Sequence, residues 1–346
     1  DWRVEIDTLC PAEWDAVLSL FTDAMVQQSS AYGRCQWGES TLSHLLLRDG
    51  SRIVGAAQLV LRTLPSSGPG IAHLKFGPLW RRCDSKPDPA ILKRLLAALR
   101  DEYAGKRKLA LRVKPWVSPD DRWMLNIFRE AGFRYKPKLP HYDTLMLDLR
   151  YPVEELHRSL KPRWRANLRK GQQQEYRIEQ QDGAAAVEQF LVLYRRMSER
   201  KRFYDTSEID AFADMYAAMP ANLRPDLLFC YYRDEPVAAV VISHAGKNAY
   251  YWFGATDRQA LDRHLSYVLH WHVLLHLKAR GCRWYDLAGV SQPGVYQFKS
   301  GLAGRLGQRL AMGDYDACSS PLLNRLIDTA SGWRKTYRDW RIRLAR

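Results

Sequence analysis

No stretch of this chain reaches the roughly 18 uninterrupted apolar residues that a membrane-spanning helix needs, so no span is expected. The opening residues, "DWRVEIDTLC", hold no apolar segment of the signal-peptide kind. The six cysteines (Cys10, Cys35, Cys83, Cys230, Cys282, Cys318) lie far apart with no C-x-x-C, which excludes the usual zinc spacings and a disulfide framework. A reducing cytoplasm is the expected setting. An H-E-x-x-H pair is also lacking: His264, His270, His272 and His276 crowd one apolar segment without a third ligand type, and no metal is expected. No Ser-His-Asp or Cys-His order stands out for covalent catalysis.

What is present is positive charge and a repeated pattern. Lys and Arg number 53 against 38 Asp and Glu, a net +15, which favours polyanionic partners: nucleic acid, anionic lipid or a phosphorylated substrate. At 346 residues, 46% of them hydrophobic, the chain is long enough for two cores. "HLLLRDGSRIVGAAQLVLRTL" (44–64) reads as a hairpin about a D-G turn, and "LLFCYYRDEPVAAVVISHAGKNAYYWFGA" (227–255) repeats it and adds a third strand. Each is followed by a stretch with helical spacing and a further β run: "PAILKRLLAALRDEYAGKRKLALRV" and "LSYVLHWHVLLHLKARGCRWYDLAG". The fold class is therefore α+β, with two tandem units, 1–150 and 151–346, each a mixed, largely antiparallel sheet flanked by helices. The second unit is expected to end in a C-terminal helix. Pro152, behind the apolar "DTLMLDL", marks the boundary.

This order of elements resembles the Gcn5-related N-acetyltransferase (GNAT) fold, used twice. In that fold a glycine-rich loop holds the CoA pyrophosphate on backbone N–H groups. The corresponding segments here, "WRRCDSKPDPA" (80–90) and "TDRQALDRHLS" (256–266), contain no glycine. A tandem fold of this kind without a CoA loop resembles the Fem family of aminoacyl-tRNA-dependent peptidyltransferases. "GPLW" (77–80), "LKPRWRANLRKGQQQ" (160–174), "MSERKRF" (197–203), "YYWFGATD" (250–257), "WYDLAGV" (284–290) and "YQFKSGLAG" (296–304) follow in the family's order.

The resemblance implies an enzyme moving an amino acid from aminoacyl-tRNA, a co-substrate, to an amine of a peptide or cell-wall precursor, with no cofactor. Phe298 would pack in the channel where the tRNA 3′ end meets the acceptor, and Lys299 would offset negative charge there. Gly294, Gly301 and Gly304 would bring backbone close to substrate; as a local motif alone, the stretch reads as a glycine-rich surface turn. Arg200 and Tyr204, four apart on a continued helix, would hold a nucleotide diphosphate. Tyr251 is the candidate from "AYYWFGA", where strict alternation puts Tyr251 and Phe253 on one side. Asp286 is a candidate proton acceptor or a cap for the turn that follows it. Arg163, Arg165, Arg169 and Lys170, with Trp164 for stacking, are candidates to track RNA phosphates, or an anionic membrane surface touched peripherally.

The chain also departs from the family. The first-domain lysine three residues after a tryptophan is Ser40 here, counted from Trp37, and no long heptad segment supplies the helical arm of some members. An acyl-CoA-dependent N-acyltransferase and a non-catalytic binder of anionic polymers remain open.

Overall fold

The computed structural model describes residues 1–63, 70–202, 208–290 and 293–317. The expected C-terminal helix falls on 318–346, outside the described residues. The strands are β1 (Trp2–Ile6), β2 (Leu42–Asp49), β3 (Arg52–Thr63), β4 (Gly70–Lys75), β5 (Ala110–Lys114), β6 (Arg134–Tyr135), β7 (Tyr142–Asp148), β8 (Arg177–Gln181), β9 (Asp226–Tyr232), β10 (Glu235–Ser243), β11 (Asn248–Thr256), β12 (Trp284–Gly289), β13 (Gln308–Met312) and β14 (Tyr315–Ala317). The helices are α1 (Pro11–Leu18), α2 (Ser30–Trp37), α3 (Pro89–Leu99), α4 (Met124–Glu130), α5 (Val153–Ser159), α6 (Pro162–Gln172), α7 (Gly183–Lys201), α8 (Phe212–Ala218), α9 (Arg258–Asp262), α10 (Leu265–Ala279) and α11 (Pro293–Ala303). The hairpins β2–β3 and β9–β10 and the added strand β11 stand where their turn signals put them.

Two sheets of seven strands result, in the orders β1-β2-β3-β4-β5-β14-β6 and β13-β7-β12-β11-β10-β9-β8. In each, the central neighbours β4/β5 and β11/β12 run parallel, and the other pairs of described register are antiparallel. The parallel step forces a crossover, and the helical stretches α3 and α10 supply it. The fold class is thus the expected α+β with mixed sheets.

The unit boundaries are not the expected ones. Among the described residues one compact unit comprises 1–21, 37–141 and 312–317, the other 22–36 and 142–311. Pro152 does introduce α5, but β7, ahead of it, hydrogen-bonds into the second sheet beside β12, with Leu147 opposite Tyr285. Conversely β14, late in the chain, pairs with β5 of the first sheet, Asp316 opposite Arg112. A turn signal marks where the chain changes direction, not which sheet a strand will join.

Each sheet has its own core. In the first unit Leu92, Leu95, Leu96 and Leu99 of α3 pack with Leu45, Leu59, Leu74 and Leu111 from the strands. In the second, α6, α10 and α11 cover one face through Trp164, Leu168, Leu269, Leu274 and Leu302. The other face meets α7 and α8, where Phe190 and Phe212 pack on Phe253 at ring-centroid distances of 6.3 and 5.3 Å. Burying aromatic area on this scale is a main stabilising term of the unit.

Candidate functional site

β11 and β12 are paired only at Asn248↔Trp284, Ala249↔Tyr285 and Tyr250↔Asp286. Beyond that point both strands carry a bulge. On β11, Val241 of β10 faces Phe253 while the next residue, Ile242, faces Tyr251, so Trp252 is the extra residue. On β12 the register against β7 shifts between Asp286 and Gly289, and Ala288 is left-handed at φ 60°. Bulges bend and twist a strand, and here the parallel pair parts where they occur.

The bulge on β11 overturns strict alternation. Trp252 and Phe253 stack at 5.4 Å and both pack on Phe212, whereas Tyr251 turns to the opposite face, against His270 at 5.5 Å. Tyr251 and Phe253 are therefore on different sides. Tyr251 lies over Gly254, where a Cβ would come within 1.8 Å of its hydroxyl oxygen.

Against β10 and β11, beneath α9, α10 and α11, lies a cavity of about 460 Å³, lined by Tyr251, Gly254, His270, Phe298 and Lys299 among others. Apolar side chains of β10, α9, α10 and α11 make up much of the wall. The segment "GVYQFKSGLAG" is not a surface turn: it forms α11, and Lys299 is 8% exposed. Its Nζ donates to the Gly289 carbonyl at 2.9 Å and stands 4.9 Å from the Tyr251 ring centroid. Burial lowers the Lys299 pKa to about 8, with the Asp286 carboxylate opposing the shift. His270 is driven further, to about 3, by burial and by the neighbouring Lys299 charge, so its imidazole is neutral.

Gly301 and Gly304 serve close packing, whereas Gly294 has open space where a Cβ would stand and lines the cavity. A Cβ on Gly301 would sit 2.6 Å from the Trp164 indole of α6, and Gly304, at φ +59°, abuts the Ser159 carbonyl. Phe298 completes an aromatic group with Trp164, Tyr267 and His270 at 5.9, 5.1 and 4.9 Å. Trp164 itself is 3% exposed, which removes it as a stacking platform for bases.

Asp286 is fully buried in β12 and is absent from the cavity lining. Its Oδ1 accepts from the Thr144 hydroxyl (2.5 Å), the Tyr142 hydroxyl (3.1 Å) and the Ala288 amide (2.8 Å). The Thr144 hydroxyl oxygen also lies 3.2 Å from the Ala288 carbonyl. The carboxylate thus braces the bulge that carries Gly289, and through Gly289 it fixes Lys299. The turn-capping role fits this geometry.

The remaining candidates are dispersed. α7 ends at Lys201, with Arg202 left-handed at φ 48° as its cap, and Tyr204 lies outside the described residues. Arg200 donates to the Thr256 carbonyl at 2.8 Å, pinning the end of β11. On α6 the buried stripe Trp164, Leu168, Gly171 separates Arg163 and Lys170 on one side from Arg165 and Arg169 on the other. The four cations flank the helix instead of forming one cluster. Lys75, from β4, places its ammonium 4.9 Å from the Trp37 ring, so a cation reaches that tryptophan although Ser40 does not supply one.

No group of His, Cys, Asp and Glu able to hold a metal occurs among the described residues. His276 pairs with Asp226 at 2.7 Å, while His270 points away into the cavity lining. Asp257 caps α9 through the Ala260 amide at 2.8 Å. A carboxylate already holds the N–H end that a CoA pyrophosphate would occupy in a glycine loop. No described helix is long and apolar enough to cross a membrane. Sequence reasoning set His270 aside with the other histidines; its place on a nearly all-apolar helix was the available signal.

The comparisons agree with this architecture. Residues 158–300 match the family model of an acetyltransferase (GNAT) domain. The chain superimposes on a crystal structure of FemX with a TM-score of 0.75 at 16% identity, covering 93% of this chain and 99% of that one. A conserved protein of unknown function from Bacteroides thetaiotaomicron VPI-5482 gives a TM-score of 0.56 at 10% identity, covering 91% and 99%. No curated protein sequence matches the chain. The second unit carries a GNAT-type domain. The whole chain has the tandem fold seen in FemX, and the likeness to the Fem family read from the motifs is met in the fold.

Proposed function

We propose that the protein is an aminoacyltransferase that moves an amino acid from aminoacyl-tRNA to an amine of a peptide or cell-envelope precursor. The observation that carries this reading is Lys299: a buried ammonium, held by the Gly289 carbonyl of bulged β12, that lines a cavity beside bulged β11. The acceptor amine attacks the ester carbonyl, a C–N bond forms, and the C–O bond to ribose breaks. The proton shed by the amine is balanced by one taken up by the leaving ribose oxygen. Negative charge passes through the carbonyl oxygen and then the leaving oxygen. A fixed cation in a water-poor site stabilises that charge far better than solvent does. With its pKa near 8, Lys299 is protonated at neutral pH yet releases a proton readily, and it suits the leaving oxygen. Asp286 acts by holding the bulge, and Tyr251 and Phe298 shape the wall. The basic surplus draws tRNA, with Arg163, Arg165, Arg169 and Lys170 as its proposed contacts. A cytoplasmic setting, at the inner membrane surface where the precursor is lipid-linked, follows from these substrates.

Acyl-CoA as donor is the second reading, favoured by the GNAT domain match and opposed by Asp257 at the start of α9. One experiment separates them. The protein is incubated with mixed charged tRNAs and amine acceptors, beside acyl-CoA controls, and products are read by mass. An aminoacyl adduct made only with charged tRNA is expected. An adduct from acyl-CoA alone overturns the tRNA reading, and no adduct from either donor leaves a binder of anionic polymers.

A further inference from the structure

Apart from Lys299, the cavity holds a second buried polar group that the transfer chemistry above does not use. His270 is 8% exposed, and its Nδ1 has no hydrogen-bond partner among the described residues. Its ring is fixed by Tyr251 on one side and Phe298 on the other. An imidazole nitrogen left unpaired in such a place costs free energy unless something else completes it. Of the hydroxyls nearby, that of Ser266 donates to Thr256 at 3.4 Å. The cavity's described lining includes Lys201 and Lys299 and no aspartate or glutamate.

An aminoacyl group differs from a simple acyl group by one feature, its α-amine. In most sites an amine of this kind is held as an ammonium by a carboxylate. Here no carboxylate lines the wall, and a second cation beside Lys299 would be repelled. The amine is therefore best held in its neutral form, by a neutral partner that accepts an N–H.

We propose that His270 is that partner: its imidazole accepts a hydrogen bond from the α-amine of the aminoacyl donor and so distinguishes aminoacyl from plain acyl groups. This rests on the aminoacyl-donor reading of the same cavity. Alternation of the ring stack holds the nitrogen still, so the contact is formed without reorganisation and adds to discrimination as a prearranged donor–acceptor pair. A site built to bond a substrate N–H penalises the analogue that lacks it.

The test uses the full chain and two stable probes: 3′-amido adenosine bearing an alanyl group, and the same compound bearing a propionyl group, which is alanyl without its amine. Affinities are measured by calorimetry for wild type, His270→Phe and His270→Gln. Wild type should prefer alanyl by about tenfold or more. His270→Phe should bind both alike, and His270→Gln, which keeps an acceptor, should recover much of the preference. A purely structural role for His270 would weaken both probes equally and leave their ratio intact; that outcome overturns the proposal, as does a wild type indifferent to the amine. If neither probe binds better than 3′-amino-3′-deoxyadenosine, the donor reading itself fails and the inference falls with it.

Discussion

The two parallel strand pairs at the centres of the two sheets are built from the same order of elements and end differently. β4 and β5 stay paired over five positions, from Ile71↔Ala110 to Lys75↔Lys114, with no shift of register against any described neighbour. The Phe76 amide prolongs the closure by donating to the Lys114 carbonyl at 2.7 Å. The chain then makes the cis Gly77–Pro78 step, pairs Leu79 with Ala56 of β3 and buries Trp80. β11 and β12 pair over three positions and then both bulge, and a cavity lies against β11. One extra residue in β11 is enough to turn Tyr251 to the cavity side of the sheet. A duplicated scaffold can thus keep one copy for stability and open the other for chemistry.

The comparison breaks most sharply at Lys299. Lys299→Ala should lower kcat and kcat/KM together by about a hundredfold in the transfer assay, with an unchanged melting transition. Lys299→Arg should recover little, because a planar guanidinium does not place its charge where a compact ammonium sat. Next comes the brace beneath it. Asp286→Ala removes the acceptor of three buried donors, and thermal or denaturant unfolding should show a loss of about 3 kcal/mol. Activity in the folded variant should fall as well, because Gly289 no longer holds Lys299 in place.

A smaller effect is expected at Gly254. Gly254→Ala pushes the Tyr251 ring from its place and should reduce kcat/KM about tenfold. Adding Tyr251→Phe, which removes the nearest atom, should restore part of that loss; no restoration would mean the strain is in the backbone.

Two pH dependences follow. With Lys299 near 8, activity that needs its proton should fall as pH rises above about 8, and this limb should vanish in Lys299→Ala. Burial holds His270 at about 3 in the folded chain, below the ordinary histidine value of 6.5, so the unfolded chain binds the proton first as pH falls. The stabilising difference is whole above pH 6.5 and is lost toward pH 3, at up to roughly 1.4 kcal/mol per pH unit. Unfolding midpoints of His270→Phe should accordingly lose less than wild type across that window.

The smallest effect concerns α6. Arg165→Ala with Arg169→Ala, and Arg163→Ala with Lys170→Ala, strip opposite flanks of one helix. If tRNA lies along one flank, a single double variant should flatten the slope of log affinity against log salt, by roughly 0.7 to 0.9 per lost phosphate contact. Equal slopes in both variants and wild type would place the RNA path elsewhere.

Much of the fold was legible in the sequence because its signals are local. "RDGS" and "RDEP" announce their hairpins, and the apolar spacing of "PAILKRLLAAL" announces α3. The site was legible only in part. Lys299 and Phe298 could be picked out by their motif, but the burial of Lys299 comes from contacts between distant segments, with the Gly289 carbonyl and the Tyr251 ring. Tyr251 was found and its face misassigned, because a bulge is defined by the partner strand's register and leaves no mark in the strand's own alternation. The exchange of β7 and β14 between units was hidden for the same reason: pairing is decided across the molecule. His270 escaped because its value lies in what it fails to touch.

The placement of β14 bears on how the chain is made. It is the bridge between β5 and β6 in the first sheet, yet nearly all of the second unit is translated before it. Until residue 316 leaves the ribosome, Arg112 lacks the carboxylate that later clasps it at 2.7 and 2.8 Å, and β6 has no strand to join. A buried guanidinium waiting for its bidentate carboxylate is costly, so the first sheet is held incomplete. Synthesis from the N-terminus would ordinarily let the first domain finish first. Here the last described strand closes the first sheet, and a ribosome stalled before residue 315 would hold a nascent chain whose earliest residues are still waiting for their latest ones.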